Sequence, residues 1–166
     1  MNRKLVEKVE ILILNEEDAV RIAELEQAVF PDPWSLKSLQ ETLVQRQYVN
    51  LGAWKDGNLV GYLLFSYVLD EGEIVRVAVA PEMRRAGVAT ALLLELEQLC
   101  EEMQIGKVML DVREHNEAAR AFYLANGFKQ DGVRKNFYGN PPEDAVLMSR
   151  CSGKQMAGLS AVPTRN

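Results

Sequence analysis

The stretch "VAVAPEMRRAGVATALL", Val77 to Leu93, carries an alternating apolar run into a proline, then a glycine loop that opens a long helical pattern. Free N–H groups at a helix N-terminus and the positive end of the helix dipole point to the same place, so such a loop is a ready anion site. A phosphate-bearing ligand is expected. Neither the Lys-Ser/Thr pair of a nucleoside-triphosphatase loop nor the Gly-x-Gly-x-x-Gly of a dinucleotide fold is present. What remains is Arg84-x-x-Gly87-x-Ala89. Gly87 lacks a Cβ, so successive amides can face a pyrophosphate, and Ala89 keeps the first helical turn open. A basic turn with a left-handed glycine is the plainer reading of the same hexapeptide.

A chain of 166 residues with 48% hydrophobic residues suits one domain with a sizeable core. One domain is expected over residues 1–150, followed by a flexible tail over 151–166 that is rich in Ser, Gly, Lys and Pro and lacks periodicity. A net charge of -5 and a pI near 5.0 argue against a nucleic-acid binder and allow attraction to cationic substrates. Cys100 and Cys151 have no metal-ligand spacing, so free thiols and no metal are expected. The N-terminal "MNRKLVEKVEILIL" scatters charges through any apolar run, which predicts a cytoplasmic protein without a membrane partner.

Val9 to Leu14 reads as a strand, and Asn15 caps a helix whose Ala19, Ile22, Leu25 and Val29 share a face. Pro31 and Pro33 in "FPDPWS" stop it, and Ser35 caps a second helix, with Trp34 placed to staple onto Leu39. Tyr48–Trp54 and Leu59–Leu69 flank an Asp-Gly hairpin signal, and "DEGE" turns the chain into a strand ending near Val79. Val88, Leu92, Leu96, Leu99 and Met103 form one helical stripe, with Gly106 expected as its left-handed C-terminal residue. Lys107–Val112 is a strand with Val108, Leu110 and Val112 on one face, leaving Met109 and Asp111 on the other. Asn116 caps a helix through Ala125; Phe128–Gln130 and Ala145–Ser149 close the sheet, with "DGVRKNFYGNPPED" as a loop region.

Strand, Arg-x-x-Gly-x-Ala, long helix, strand and "NEAARAFYLANGF" together resemble the acetyl-CoA-binding half of the GCN5-related N-acetyltransferases (GNAT). Within that superfamily, "FPDPWS", "VLDEGEIVRVAV", "LDVREHNEAARAFYLANGF" and "RKNFY" followed by "EDAVLM" resemble the RimI-type ribosomal-protein-alanine N-acetyltransferases, over nearly all of residues 8–150. The resemblance implies an α/β acyl-CoA N-acyltransferase fold. Its mixed, mainly antiparallel sheet is flanked by helices, and acetyl-CoA lies where the fourth and fifth strands splay.

On the matched positions, the resemblance implies that Val77, Ala78 and Val79 offer the cofactor arm a strand edge, as a missing ladder partner would. The Val79 amide would stabilise charge on the thioester oxygen. Arg84, Arg85, Ala86, Gly87, Val88, Ala89 and Thr90 would cradle the pyrophosphate, and Asn116 would bind the arm, a plain helix cap being its other role. Asp111 takes the place of the base, where the family commonly has glutamate, so a bridging water is expected between it and the amine. Its alternative is an ordinary strand-end charge. Tyr123 matches the general acid, its phenol reference pKa of about 10 sitting above a thiol's roughly 8.5; a structural tyrosine is the alternative. His115 lies where the family needs no imidazole. Trp34 and Tyr138 would wall the acceptor groove, and Glu71 and Glu73 would meet cationic peptide residues or serve as solvated turn charges.

The implied reaction is acetyl transfer to the α-amine of an N-terminal alanine, on a small-subunit ribosomal protein. The rivals are another amine acceptor (a polyamine, an antibiotic or a lysine side chain) and a non-catalytic acetyl-CoA-binding module.

Overall fold

Apolar positions at periods of two and 3.6 residues sort the chain into alternating strands and helices. The computed structural model describes residues 8–139 and 141–152. In order these form β1 (Glu10–Ile13), α1 (Ala19–Val29), α2 (Leu36–Leu43), β2 (Tyr48–Lys55), β3 (Asn58–Val68), β4 (Glu71–Val79), α3 (Val88–Met103), β5 (Lys107–Arg113), α4 (Glu117–Ala125), β6 (Lys129–Tyr138) and β7 (Glu143–Cys151). The strands run β1-β2-β3-β4-β5-β7-β6 across one sheet. Pairs β1/β2, β2/β3, β5/β7 and β6/β7 are antiparallel, and β4/β5 is parallel. This is the mixed, mainly antiparallel α/β architecture expected. Contacts divide the described residues into two compact units, one reaching to Ser66 and including Val75–Leu99, the other holding Tyr67–Ile74 and the residues from Cys100 onward.

In the first unit, Asn15 closes a capping box with Asp18 over one 3₁₀ turn before α1, and the Ser35 hydroxyl accepts from the Ser38 amide to start α2. The β2–β3 turn puts Asp56 and Gly57 at φ 51° and 81°, the left-handed pair that a two-residue hairpin demands. Ile22, Leu39, Leu51, Leu63, Leu64, Phe65, Leu92 and Leu96 fill the core. Gly61 lies where β3 meets the start of α3: a Cβ there would stand 2.8 Å from Val88 and 3.1 Å from the Ala78 carbonyl. A glycine inside a strand permits that approach.

In the second unit, Val108, Leu110 and Val112 of β5 are buried on one face, with Met148 and Val146 of β7 buried opposite Leu110 and Val112, and Tyr123 and Phe128 are buried against each other. Three expectations are corrected here. The left-handed residue after α3 is Gln104 (φ 62°), not Gly106, and the Ile105 amide donates back to the Cys100 carbonyl at 2.8 Å. Gly106 instead donates to the Asp70 carbonyl, joining the β3–β4 turn to β5. "DEGE" is only half a turn, because Leu69 takes the left-handed conformation (φ 56°) and β4 already starts at Glu71. Most of the expected loop after Gln130 is strand: β6 continues to Tyr138, with register shifts at Gln130/Gly132 and Arg134/Tyr138. An edge strand exposed on nearly every residue needs no apolar alternation. Cys151 ends β7, and residues 153–166 of the expected tail lie outside the described residues.

Candidate active site

The first unit contributes backbone. The ladder of β4 with β5 covers Glu71–Ile74, after which β4 runs on for Val75–Val79. Along that end Ala78 is buried while Val77 and Val79 are half-buried. A 3₁₀ turn at Pro81–Met83 leads into a loop where Arg85 (φ 66°) and Gly87 (φ 84°) are both left-handed. Two such residues within three bend the backbone into a concavity of amides. The Arg84 and Ala86 amides are spent inside the loop, on the Pro81 and Met83 carbonyls at 3.3 Å. The Ala91 amide makes the first turn's bond, to the Gly87 carbonyl at 3.0 Å. Helix geometry therefore leaves the Gly87, Val88, Ala89 and Thr90 amides without partners inside α3. A cavity of about 240 Å³ in the same unit, lined by Arg21, Glu24, Asn58, Pro81 and Glu82 among others, includes none of the expected cofactor residues.

The second unit contributes titratable side chains. Parallel register sets Glu73 opposite Met109, on the sheet face that also carries Asp111 two residues on. Partial burial raises the Glu73 carboxyl above its ordinary value, the Asp111 charge raises it further, and Arg134 opposes the rise. Because Glu73 keeps an exposed flank, solvent screening limits the size of that rise. Tyr138 joins the group: burial lifts its phenol, the Asp111 charge adds to this, and Arg113 pulls the other way. The Arg113 guanidinium lies 4.2 Å over the Tyr138 ring and donates to Glu143 Oε1 at 3.1 Å. Glu73, Asp111 and Tyr138 are thus brought together, whereas Glu71 is exposed at the start of the ladder opposite Lys107.

Tyr123 is buried on α4, edge-on to Phe122 and Phe128 at 5.3 Å. Burial pushes its phenol up to about 12. It holds its proton more tightly than the free phenol considered from sequence, so donation to a thiolate is further uphill. Asn116 caps α4 by accepting from the Ala119 amide at 3.1 Å, which uses Oδ1 and leaves any cofactor bond to Nδ2. The His115 ring is 80% exposed, 3.8 Å from Glu114. Trp34 belongs to the first unit, where its amide donates to Glu26 Oε1 at 2.7 Å. Glu26 and its partners Tyr62 and Arg76 were not singled out from sequence. The signals were a glutamate on the apolar face of α1 and an arginine inside "VRVAV".

An amide-lined loop after a strand edge, a carboxylate pair beside the half-buried Tyr138 and a buried phenol at Tyr123 are parts that an acyl transfer to an amine can use. The chain belongs to the acetyltransferase (GNAT) family, whose model matches residues 19–128. It is 33% identical over 133 residues to a putative [ribosomal protein bS18]-alanine N-acetyltransferase of Bacillus subtilis (strain 168), covering 80% of this chain and 88% of that one. It is 32% identical over 127 residues to the [ribosomal protein bS18]-alanine N-acetyltransferase of Escherichia coli (strain K12), covering 75% and 85%. The crystal structure of the ribosomal-protein-S18-alanine N-acetyltransferase from Escherichia coli superposes with a TM-score of 0.82 at 29% identity, covering 87% of this chain and 94% of that one.

Proposed function

We propose that this protein transfers the acetyl group of acetyl-CoA to the α-amine of an N-terminal alanine on a small-subunit ribosomal protein, in the cytoplasm. The observation that carries the chemistry is the Glu73–Asp111 pair on one sheet face with Tyr138 beside it. The acceptor comes from the relatives, whose names specify an alanine of ribosomal protein bS18. Cys100 and Cys151 are not joined in a disulfide, which suits a reducing compartment, and no helix among the described residues is long and apolar enough to cross a membrane. Residues 1–150 act as one acetyltransferase domain, a reading supported by a family model that runs through both units.

Acetyl-CoA fits the backbone of the first unit. The Gly87–Thr90 amides and left-handed Arg85 receive the pyrophosphate, and the Val77–Val79 edge receives the pantetheine amides where the β5 ladder has ended. The Val79 amide meets the thioester oxygen as charge grows there. The amine nitrogen attacks the thioester carbon; the C–N bond forms and the C–S bond breaks. The nitrogen's proton passes through a water to Asp111, with Glu73 adding negative potential that draws a cationic N-terminus. Tyr123 gives its proton to the departing thiolate, and solvent restores the balance between acid and base. An α-amine, with a pKa of roughly 7.7 to 8.0, is partly neutral near pH 7, so a modest base suffices. Trp34 on the first unit, and separately Glu71 and Tyr138 on the second, are the side chains we assign to the acceptor peptide.

Mass spectrometry of protein N-termini from cells with and without this chain tests the proposal. A ribosomal protein whose N-terminal alanine loses acetylation in its absence is the expected result. Unchanged N-termini throughout would overturn it.

A further inference from the structure

Glu26 is the one charged residue among the described residues that is wholly buried, at 0% exposure. Both of its oxygens are engaged. Oε1 accepts from the Trp34 amide at 2.7 Å and from Arg76 Nη2 at 2.8 Å; Oε2 accepts from Arg76 Nε at 2.8 Å and from the Tyr62 hydroxyl. Burial works against the Arg76 cation, but its bonds to Glu26 outweigh it and hold the guanidinium above its ordinary pKa. The Tyr62 phenol is raised as well, first by burial and then by Glu26.

A buried ion pair is a poor device for stability, since well-packed apolar residues do as well or better. What distinguishes this one is where its contacts fall. The Glu26 carboxylate holds the Trp34 amide, Arg76 Nη2 reaches the Asp32 carbonyl at 3.4 Å, and the guanidinium lies 3.8 Å over the Phe30 ring and 5.3 Å over that of Trp34. All of these are in the segment between α1 and α2, which Pro31 and Pro33 bar from helix. Arg76 itself stands on β4, next in sequence to Val77, so the pair ties that segment to the strand bearing the proposed thioester contacts.

We propose that Glu26 and Arg76 are positioning residues that hold the Phe30–Ser35 segment in the shape that receives the acceptor N-terminus, and so set affinity for the peptide rather than for acetyl-CoA. The inference rests on the reading of Trp34 as a wall of the acceptor groove. Bidentate geometry and ring stacking both require a guanidinium, so lysine cannot replace Arg76 by charge alone.

The chain has two tryptophans, so a Trp54→Phe background leaves Trp34 as the sole fluorescent reporter. In that background Glu26→Gln, Arg76→Lys and, separately, Trp34→Ala are compared for KM of an N-terminal alanine peptide, KM of acetyl-CoA, kcat and Tm. Acrylamide quenching of Trp34 is measured in the variants that keep it. Glu26→Gln and Arg76→Lys are expected to raise peptide KM about tenfold and to increase quenching. Acetyl-CoA KM and kcat should stay within about twofold. Unchanged quenching, or both KM values rising together with a fall in Tm, would overturn the proposal. Increased quenching with unchanged peptide KM would also overturn it. In that event a peptide KM raised by Trp34→Ala would preserve the groove reading, and one left unchanged would remove the groove reading too.

Discussion

Glu26 and Glu73 are the same side chain in opposite circumstances. Glu26 is sealed in the first unit, with both oxygens occupied by an amide, a phenol and a guanidinium. Glu73 stands at the surface of the second unit, its carboxyl raised by partial burial and the like charge of Asp111. A carboxylate with every lone pair engaged has nothing left to give a substrate and acts as scaffold. One that faces its own charge is poised to attract a cation or accept a proton. The same division runs through the other residues proposed for the reaction. The first unit offers fixed backbone, with Arg85 and Gly87 left-handed before α3, whereas the second offers Asp111, Tyr123 and Tyr138.

The division is broken most severely by attacking the backbone half. Gly87→Glu puts a side chain on a residue at φ 84° and a negative charge among the amides proposed for the pyrophosphate. Acetyl-CoA affinity should fall by about a hundredfold or more by calorimetry, with the circular dichroism spectrum retained. Tyr123→Phe attacks the other half and keeps the ring packing against Phe122 and Phe128. At saturating substrates kcat should fall about a hundredfold, while calorimetry shows acetyl-CoA affinity unchanged. If kcat holds, Tyr123 is core packing alone.

Asp111→Asn is a smaller perturbation, since the amine is already partly neutral. The expected loss in rate is about tenfold near pH 6 and shrinks as pH passes the amine's pKa of about 8; Asp111→Glu should keep most of the activity by reaching the amine directly. Parallel pH–rate profiles for wild type and the Asn variant would make Asp111 a strand-end charge. The smallest effect concerns stability. A carboxyl whose folded-state pKa is raised binds its proton more tightly folded than unfolded, so stability declines as pH rises above the ordinary value of 4.5. Glu73→Gln removes that decline. Thermal unfolding should show a gain of about a degree at pH 7, which disappears in acid where Glu73 is protonated in both states.

Local rules carried much of the fold. The Asp56–Gly57 hairpin, the caps at Ser35 and Asn116, and the β5 alternation each depend on neighbours in sequence, and each stands as expected, while Asn15 caps a 3₁₀ turn ahead of α1 rather than α1 itself. β6 was missed because an exposed edge strand with two register shifts carries no hydrophobic period. The left-handed residue after α3 was misplaced because Gln104 adopts a conformation that glycine usually supplies. The positions of Asp111, Tyr123 and Gly87 could be matched by motif, but the Glu73–Asp111 proximity depends on the Glu73↔Met109 register. No local pattern encodes that register. Glu26 and Arg76 meet across 50 residues of chain, so the helix and the strand each showed only a misplaced charge.

The central claim is tested most directly by incubating the purified chain with acetyl-CoA and equimolar amines. The mixture holds a basic peptide beginning with alanine, the same peptide with its N-terminus blocked and a lysine free, and a linear polyamine, each product being located by tandem mass spectrometry. The account predicts one acetyl group on the alanine α-amine of the unblocked peptide, with the lysine and polyamine left bare. Acetylation of the lysine or polyamine with an untouched α-amine would contradict it.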